Sequence, residues 1–187
     1  MGDQTKELLE FNQLIEHFHI IRSDEFPDIE LYMDQVLSYL SKQLAIFKIE
    51  PDDNIITSSM INNYVKFGIV PPPEGKKYHR RHLAYIYAVC FLKQVLRLDE
   101  IKQLVDTLLL GKNEKQVYNY FCDEQEKALR ACCLVGEPEE EVSFENDYTD
   151  LALKYAATSI ASKLYAQKIL SFQRGEPREK KPRGKER

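Results

Sequence analysis

The chain has 187 residues, of which 43% are hydrophobic, and carries a formal net charge of -4. This is enough apolar material for one compact domain with a helical extension. The first ten residues, MGDQTKELLE, are charged, which argues against a signal peptide. The longest uncharged apolar run, residues 83–92, is too short for a membrane-spanning helix. We therefore expect a soluble, cytoplasmic protein with no membrane partner.

Apolar residues recur at helical spacing along most of the chain, and alternating runs are few. This pattern predicts a mainly α fold. Pro27 and Asp28 suit the start of the second helix, and the acidic stretch 136–147 is typical of a loop. The predicted helices span residues 5–20, 28–48, 58–67, 80–97, 99–110, 114–134 and 148–172.

The third predicted helix has one polar face and one apolar face. Ile61, Tyr64 and Val65 share the apolar face, which must dock because so short a helix is unstable alone. Thr57 or Ser58 can cap its start, and Gly68 can end it with a positive φ. The opposite face carries side chains able to hydrogen-bond base edges and phosphates: Ser59, Asn62, Asn63 and Lys66.

A proline-rich segment and a basic cluster follow this helix. Ile69 and Val70 can begin a short strand, the prolines at 71–73 forbid helix, and Gly75 permits a tight reversal. We predict a small β hairpin, or wing, whose charges would contact the DNA backbone beside the polar face. Its basic side chains are Lys76, Lys77, His79, Arg80 and Arg81.

The next two helices are predicted to support this surface. Leu83, Ile86 and Tyr87 belong to an apolar floor for the short helix and the wing. Asp99 is predicted to be the N-cap of the following helix. Glu100 would then interact favourably with the positive N-terminal end of the dipole of that helix.

The last predicted helix places Leu153, Ala157, Ile160 and Leu164 on one stripe, which could pack on its own domain or pair two chains. Residues 173–187 lack apolar side chains and are predicted to form a disordered basic tail. The four cysteines show no metal-binding spacing, so we expect buried, reduced thiols; an adjacent pair, Cys132 and Cys133, leaves a thiol sensor as the alternative.

Charge is segregated along the chain. Residues 57–104 carry 8 Lys or Arg against 3 Asp or Glu, whereas residues 1–56 carry 4 against 12. A basic block between acidic flanks favours a polyanionic partner for that block, although the overall charge is negative.

The segments SSMINNYVKFGIVPPP, KKYHRRHLA and LKQVLRLDEIKQLVD resemble the MerR-type winged-helix DNA-binding domain. More narrowly, the first two resemble the bacterial family catalogued as Domain of Unknown Function 1836. The resemblance implies that residues 32–47 form the first helix of a helix-turn-helix, that Tyr64 is a recognition-helix tyrosine, and that Tyr78 is the wing tyrosine. Asn62 and Asn63 depart from the MerR pattern, as does the absence of one long dimerisation helix.

These observations define a domain plan and a function. The predicted domains are an N-terminal helical arm (1–27), a MerR-like winged helix-turn-helix with a small β wing (28–110), a C-terminal helical packing or dimerisation region (111–172) and the basic tail (173–187). The predicted function is sequence-specific double-stranded DNA binding by a bacterial transcriptional regulator. The predicted DNA-binding residues are Ser58, Ser59, Asn62, Asn63, Tyr64, Lys66, Lys76, Lys77, Tyr78, His79, Arg80 and Arg81.

Other functions remain as alternatives. The same fold could hold an acidic protein partner on its basic face, or act as an excisionase-like architectural protein. No catalytic motif is present, so an enzyme is not expected, and no cofactor is predicted. His79 and His82 make only half a metal site, so no metal is predicted. Aromatic residues that could line an effector pocket, or simply fill the core, are Tyr118, Phe121, Tyr155 and Tyr165.

Overall fold

The computed structural model describes residues 3–48, 53–132 and 148–173, and its regular structure there is helical. The predicted acidic loop, Cys133 and almost all of the basic tail lie outside these ranges. The α-helices are α1 (Asp3–Glu16), α2 (Met33–Gln43), α3 (Ser58–Lys66), α4 (Arg80–Leu92), α5 (Leu98–Leu108), α6 (Glu114–Ala131) and α7 (Tyr148–Gln173), with a 3-10 turn at Ala45–Phe47.

The mainly α class is confirmed, but the predicted β wing is not found. The described residues contain no strand, and only two isolated antiparallel bridges occur, Leu31 with Tyr78 and Glu74 with Lys77. Ile69 and Val70, predicted to begin a strand, are instead buried residues that continue from the end of α3. Their backbone N–H groups donate to the Tyr64 carbonyl in the last turn of that helix, so these donors are not available to a neighbouring strand.

The predicted helices agree best with the structure where local signals decide the boundary. The α5 cap is one exception, because the helix begins at Leu98 and the Glu100 carboxylate accepts the Arg97 N–H at 2.7 Å. Asp99 therefore lies in the first turn rather than at the cap. The α6 start follows the usual pattern, with the Asn113 side chain accepting the Lys115 N–H at 2.9 Å.

The first helix ends earlier and the second begins later than predicted, and α6 holds residues 18–24 between them in a non-helical path. The Ile20 N–H donates to the Glu126 carboxylate at 2.7 Å, and the Tyr118 hydroxyl donates to the Ile21 carbonyl at 2.8 Å. Contacts with side chains 97 to 106 residues away thus replace the local helical bonds. The start predicted at Pro27 and Asp28 is wrong, since α2 begins at Met33.

Helix α4 lies at the centre of the domain, with nine of its 13 residues buried. Its aromatic side chains stack with those of neighbouring elements: Phe91 lies 4.6 Å from Phe47 and 5.9 Å from Phe121, measured between ring centroids. Phe26, from the irregular segment, lies 6.2 Å from Tyr87. Edge-to-face packing of this kind adds to the stabilisation from buried apolar area. Leu83, Ile86 and Tyr87 of the predicted apolar floor are buried.

Helix α7 packs along α6 and also contacts α1, α4 and α5. The stripe formed by Leu153, Ala157, Ile160 and Leu164 is buried within the chain itself. Of the two roles predicted for this stripe, the structure shows packing on its own domain. Within the part of the chain that the structure describes, no helix combines the length and apolar character needed to span a membrane.

The cysteines that the structure describes are free thiols. Cys90 and Cys122 are buried, and burial raises the pKa of each to about 12. Both therefore stay protonated and unreactive at neutral pH, as small core residues do.

Candidate nucleic-acid interface

Helix α3 is short but both of its ends are closed. The Thr57 side chain accepts the Met60 N–H at 3.2 Å, which confirms the predicted N-cap. At the other end, Gly68 has a φ of +73°, and its N–H donates to the Val65 carbonyl while that of Ile69 donates to the Tyr64 carbonyl. This is the Schellman pattern, which favours glycine. The Lys102 ammonium then donates to the Gly68 carbonyl at 3.2 Å, so α5 holds this end in place.

The two faces of α3 differ sharply in exposure. Ile61 and Tyr64 are buried against the core, whereas the opposite face is open to solvent. No side chain of this open face makes a hydrogen bond or ion pair with the described residues. Its five exposed members, here named the α3 polar face, are Ser58, Ser59, Asn62, Asn63 and Lys66.

Tyr64 and Tyr78 were both predicted to contact DNA, but the structure places them in the core. Tyr64 is only 2% exposed and Tyr78 only 3%. Burial raises the pKa of both hydroxyls, so neither ionises near neutral pH. We therefore assign them to packing and leave them out of the candidate interface.

The segment predicted as a wing forms a tight turn at residues 74–77. The backbones of Glu74 and Lys77 exchange two hydrogen bonds, at 3.0 and 3.1 Å, and Gly75 and Lys76 between them both have positive φ. Two successive positive φ angles are typical of two-residue hairpin loops. Beyond the turn, Tyr78 and Leu31 exchange backbone bonds of 2.8 and 2.9 Å, which fasten it to the segment before α2.

Lys76 occupies a strained backbone position at the tip of this turn. Its φ of +66° makes it the one non-glycine residue with positive φ in the described ranges. The left-handed conformation costs an ordinary residue roughly 1–2 kcal/mol, and such strain concentrates at functional positions. Lys76 is exposed at the tip of this turn, so its ammonium group is accessible to a binding partner.

The basic side chains around the turn differ in their availability. Lys77 forms an ion pair with Glu30, and this contact raises the pKa of Lys77 and lowers that of Glu30. Arg80 donates to the Phe26 carbonyl at 3.0 Å and lies 3.7 Å from Asp28. Lys76 and Arg81, by contrast, are exposed and have no acidic partner among the described residues.

His79 and His82 connect the turn to the start of α4. His82 is buried, its Nδ1 accepts the His79 N–H at 2.9 Å, and its Nε2 donates to the Pro72 carbonyl at 3.2 Å. The side chain of His79 is half-buried and lies 3.7 Å from Glu74. His82 thus caps α4 and holds the proline segment, and both of its nitrogens are occupied. Among the described residues, no group of three or more His, Cys, Asp or Glu side chains is arranged to hold a metal ion.

We expect His82 to make the fold sensitive to acid. Burial lowers the pKa of His82, so the unfolded chain takes up a proton near the ordinary value of about 6.5 while the folded chain stays neutral until lower pH. The free energy of unfolding should therefore fall between pH 7.5 and pH 5.5. Urea unfolding should show a smaller fall in a His82→Gln variant, and the same fall as the native chain in a His17→Gln control. Equal pH dependence in the His82→Gln variant would contradict this assignment.

Sequence reasoning missed the contacts that position this surface from a distance. Neither the Lys102 bond to Gly68 nor the Arg22 ion pair with Glu126, at 2.9 Å, has a local sequence signal. Both join residues at least 34 positions apart.

Comparison with known proteins gives one match. A family model described as "Domain of unknown function (DUF1836)" covers residues 21–121, which is more than half of the chain and includes α2 to α5, the α3 polar face and the 74–77 turn. No curated protein and no solved structure shows significant similarity to the chain.

Proposed function

The chain belongs to the DUF1836 family, and we propose that this member is a transcriptional regulator that binds double-stranded DNA in a sequence-specific manner. The α3 polar face enters the major groove, and the 74–77 turn lies against the flanking backbone. In this arrangement α2 and α3 act as a MerR-like helix-turn-helix, and the turn takes the position of a wing. The excisionase-like alternative would use the same surface.

The observation that carries the proposal is the state of the α3 polar face. Five polar side chains project from a helix whose other face is buried, and none has a partner among the described residues. Asparagine can bond adenine through both amide atoms, and serine and lysine can contact bases or phosphates. A helix held at both ends presents these groups with little loss of backbone entropy on binding.

The acidic neighbours of the turn do not prevent phosphate binding. Glu30 and Asp28 have side chains 49% and 87% exposed, so their pairs with Lys77 and Arg80 are surface pairs. Such pairs contribute about 0–1 kcal/mol, and a phosphate can replace the carboxylate at little cost. With Lys66, Lys76 and Arg81, five cations are then available.

A salt titration of DNA binding tests the proposal. About five phosphate contacts predict a slope of log K against log salt on the order of -4. Replacing Lys76 and Arg81 together by glutamine should make this slope shallower by about 2. A matched pair, Lys93→Gln with Lys127→Gln, removes two exposed lysines elsewhere and should leave it unchanged. A native slope near zero, or equal slopes in both double variants, would refute the proposal.

A single substitution at the tip of the turn should separate stability from binding. Lys76→Gly relieves the positive-φ strain, partly offset by the entropy of glycine, so the free energy of unfolding should rise by about 0.5–1 kcal/mol. The same variant should bind DNA less tightly and lose about 0.9 from the salt slope. Urea unfolding and a binding titration measure the two effects, and a change in stability without a change in binding would remove Lys76 from the interface.

A protein-interaction module is the second candidate, because the turn already accepts carboxylates. Lys77 pairs with Glu30 and Arg80 lies near Asp28, so an acidic protein segment could replace them. Affinity capture with and without nuclease distinguishes the two functions. A protein partner retained after nuclease treatment supports the module, whereas DNA fragments sharing a sequence motif support the regulator.

A further inference from the structure

A cavity of about 640 Å³ lies between α4, α5 and α6, next to the 74–77 turn. Small-molecule sites typically have volumes of roughly 300–1,000 Å³ with mainly apolar walls. Side chains from three helices form the walls here, including Ala88, Val105, Leu108, Tyr118 and Phe121, with Leu153 of α7 beside them. Of the four aromatic residues considered for a pocket, Tyr118 and Phe121 line it. Tyr155 is 63% exposed, and Tyr165 packs on Phe11.

The cavity exists because α4 carries small side chains on the face that it turns towards α5 and α6. Ala84 and Ala88 line the cavity, one turn apart, on a helix whose other inward positions are filled by large residues. The cavity volume therefore depends on the alanines at positions 84 and 88, and a longer side chain at either position would fill it.

One rim of the cavity is polar, and its charges are almost all paired within the chain. Asp28 lies near Arg80, Glu30 pairs with Lys77, and Lys115 lies 3.3 Å from Asp24. Glu114 accepts the Tyr85 hydroxyl at 3.2 Å, and burial together with this neighbour raises the pKa of Tyr85 to about 12. His79 and Asn113 complete the rim. Arg81 is exposed and lies on this rim without an acidic partner among the described residues.

We propose that this cavity binds a small amphipathic carboxylate, of the kind that a medium-chain fatty acid represents. The hydrocarbon chain lies between Ala88, Val105 and Phe121, and the carboxylate pairs with Arg81. Arg81 also belongs to the basic group around the turn. An Arg81 side chain paired with the bound carboxylate no longer contacts a DNA phosphate, so the ligand weakens DNA binding. The ligand site is independent of the proposed function, whereas this antagonism rests on it.

Calorimetry with octanoate, decanoate and dodecanoate, below their micelle concentrations, tests the site without DNA. We expect one molecule bound per chain and an affinity that rises about fourfold per buried methylene. Arg81→Gln should lower every affinity by up to about fivefold, as the loss of an exposed ion pair does, and keep the dependence on chain length. Ala88→Leu should lower dodecanoate affinity at least tenfold. Ala131→Leu adds the same volume at an exposed position of α6 and should match the native chain. No saturable binding, or equal affinity in the Ala88→Leu and Ala131→Leu variants, would overturn the site.

A DNA titration at saturating dodecanoate tests the antagonism. Dodecanoate should lower the DNA affinity of the native chain and of the Ala131→Leu variant several-fold. It should leave the DNA affinity of the Ala88→Leu variant unchanged. If dodecanoate binds and DNA affinity is unaffected, the antagonism is wrong. If the chain binds dodecanoate but no DNA, the proposed function fails while the ligand site stands.

Discussion

Replacing Glu126 by alanine is expected to lower the free energy of unfolding by about 3 kcal/mol, which corresponds to a fall of about 6–12 °C in Tm for a chain of this size. The Glu126 side chain is only 7% exposed, and Arg22 reaches it at 2.9 Å. Its carboxylate also accepts the Ile20 N–H at 2.7 Å. Truncation leaves the buried Ile20 amide without its acceptor and removes one acceptor of a partly buried guanidinium.

The dependence of this loss on pH follows from the same contacts. Burial opposes ionisation of Glu126, but the bonds from Arg22 and Ile20 outweigh it, and the pKa of Glu126 is lowered. Its stabilising contribution is therefore complete above the ordinary glutamate pKa of about 4.3 and is lost as pH falls further. The difference between native and Glu126→Ala chains should shrink below about pH 4.

An exposed neighbour provides the control for this experiment. Asp123 contacts the same guanidinium at 2.8 Å, but its side chain is 65% exposed. Asp123→Ala should cost no more than about 1 kcal/mol, as surface ion pairs do. Urea unfolding at pH 7 measures both variants. Equal losses would show that α6 does not hold residues 18–24 through this ion pair.

The second large effect concerns selection among DNA sequences. Replacing Ser59, Asn62, Asn63 and Lys66 together by alanine should remove about 2–6 kcal/mol of discrimination between target and unrelated duplexes, roughly 30-fold or more. Non-specific binding should weaken only by the loss of Lys66, one of the five cations, because the basic turn is intact. These side chains are exposed, and alanine favours helix, so the fold should be preserved. Competition titrations against a selected target and an unrelated duplex measure the ratio.

A substitution on the opposite side of α3 controls for general damage to the helix. Tyr64 is buried, and its hydroxyl makes no strong hydrogen bond. Tyr64→Phe should therefore change neither the discrimination between DNA sequences nor the free energy of unfolding by more than about 1 kcal/mol. If Tyr64→Phe abolishes selection while the four-alanine variant retains it, the wrong face of α3 has been assigned to DNA.

The parts of the fold set by neighbouring residues could be predicted from the sequence. Thr57 and Gly68 define α3 through contacts within a few residues, and α3 was predicted almost to the residue. The chain between α1 and α2 could not be predicted in this way. Residues 18–23 give up helical bonds for side chains of α6, and no local pattern reports a partner about 100 positions away.

Only part of the candidate surface could be predicted from the sequence. Helical spacing identified the α3 polar face, because exposure on a helix follows from period alone. A family pattern suggested roles for Tyr64 and Tyr78, but these positions are packing positions here. The acidic partners of Lys77 and Arg80 come from the irregular segment before α2, so the pairing of the basic turn depends on tertiary structure.

Cleavage of DNA from tethered reagents tests most directly whether the α3 polar face and the 74–77 turn meet one duplex. An iron chelate would be attached at Asn63→Cys or at Lys76→Cys, in a chain whose Cys132 and Cys133 are replaced by serine. The account predicts cuts from both positions on the same target, within about half a helical turn of each other, or roughly 5 base pairs. Cuts from only one of the two positions, or at unrelated places on the duplex, would contradict it.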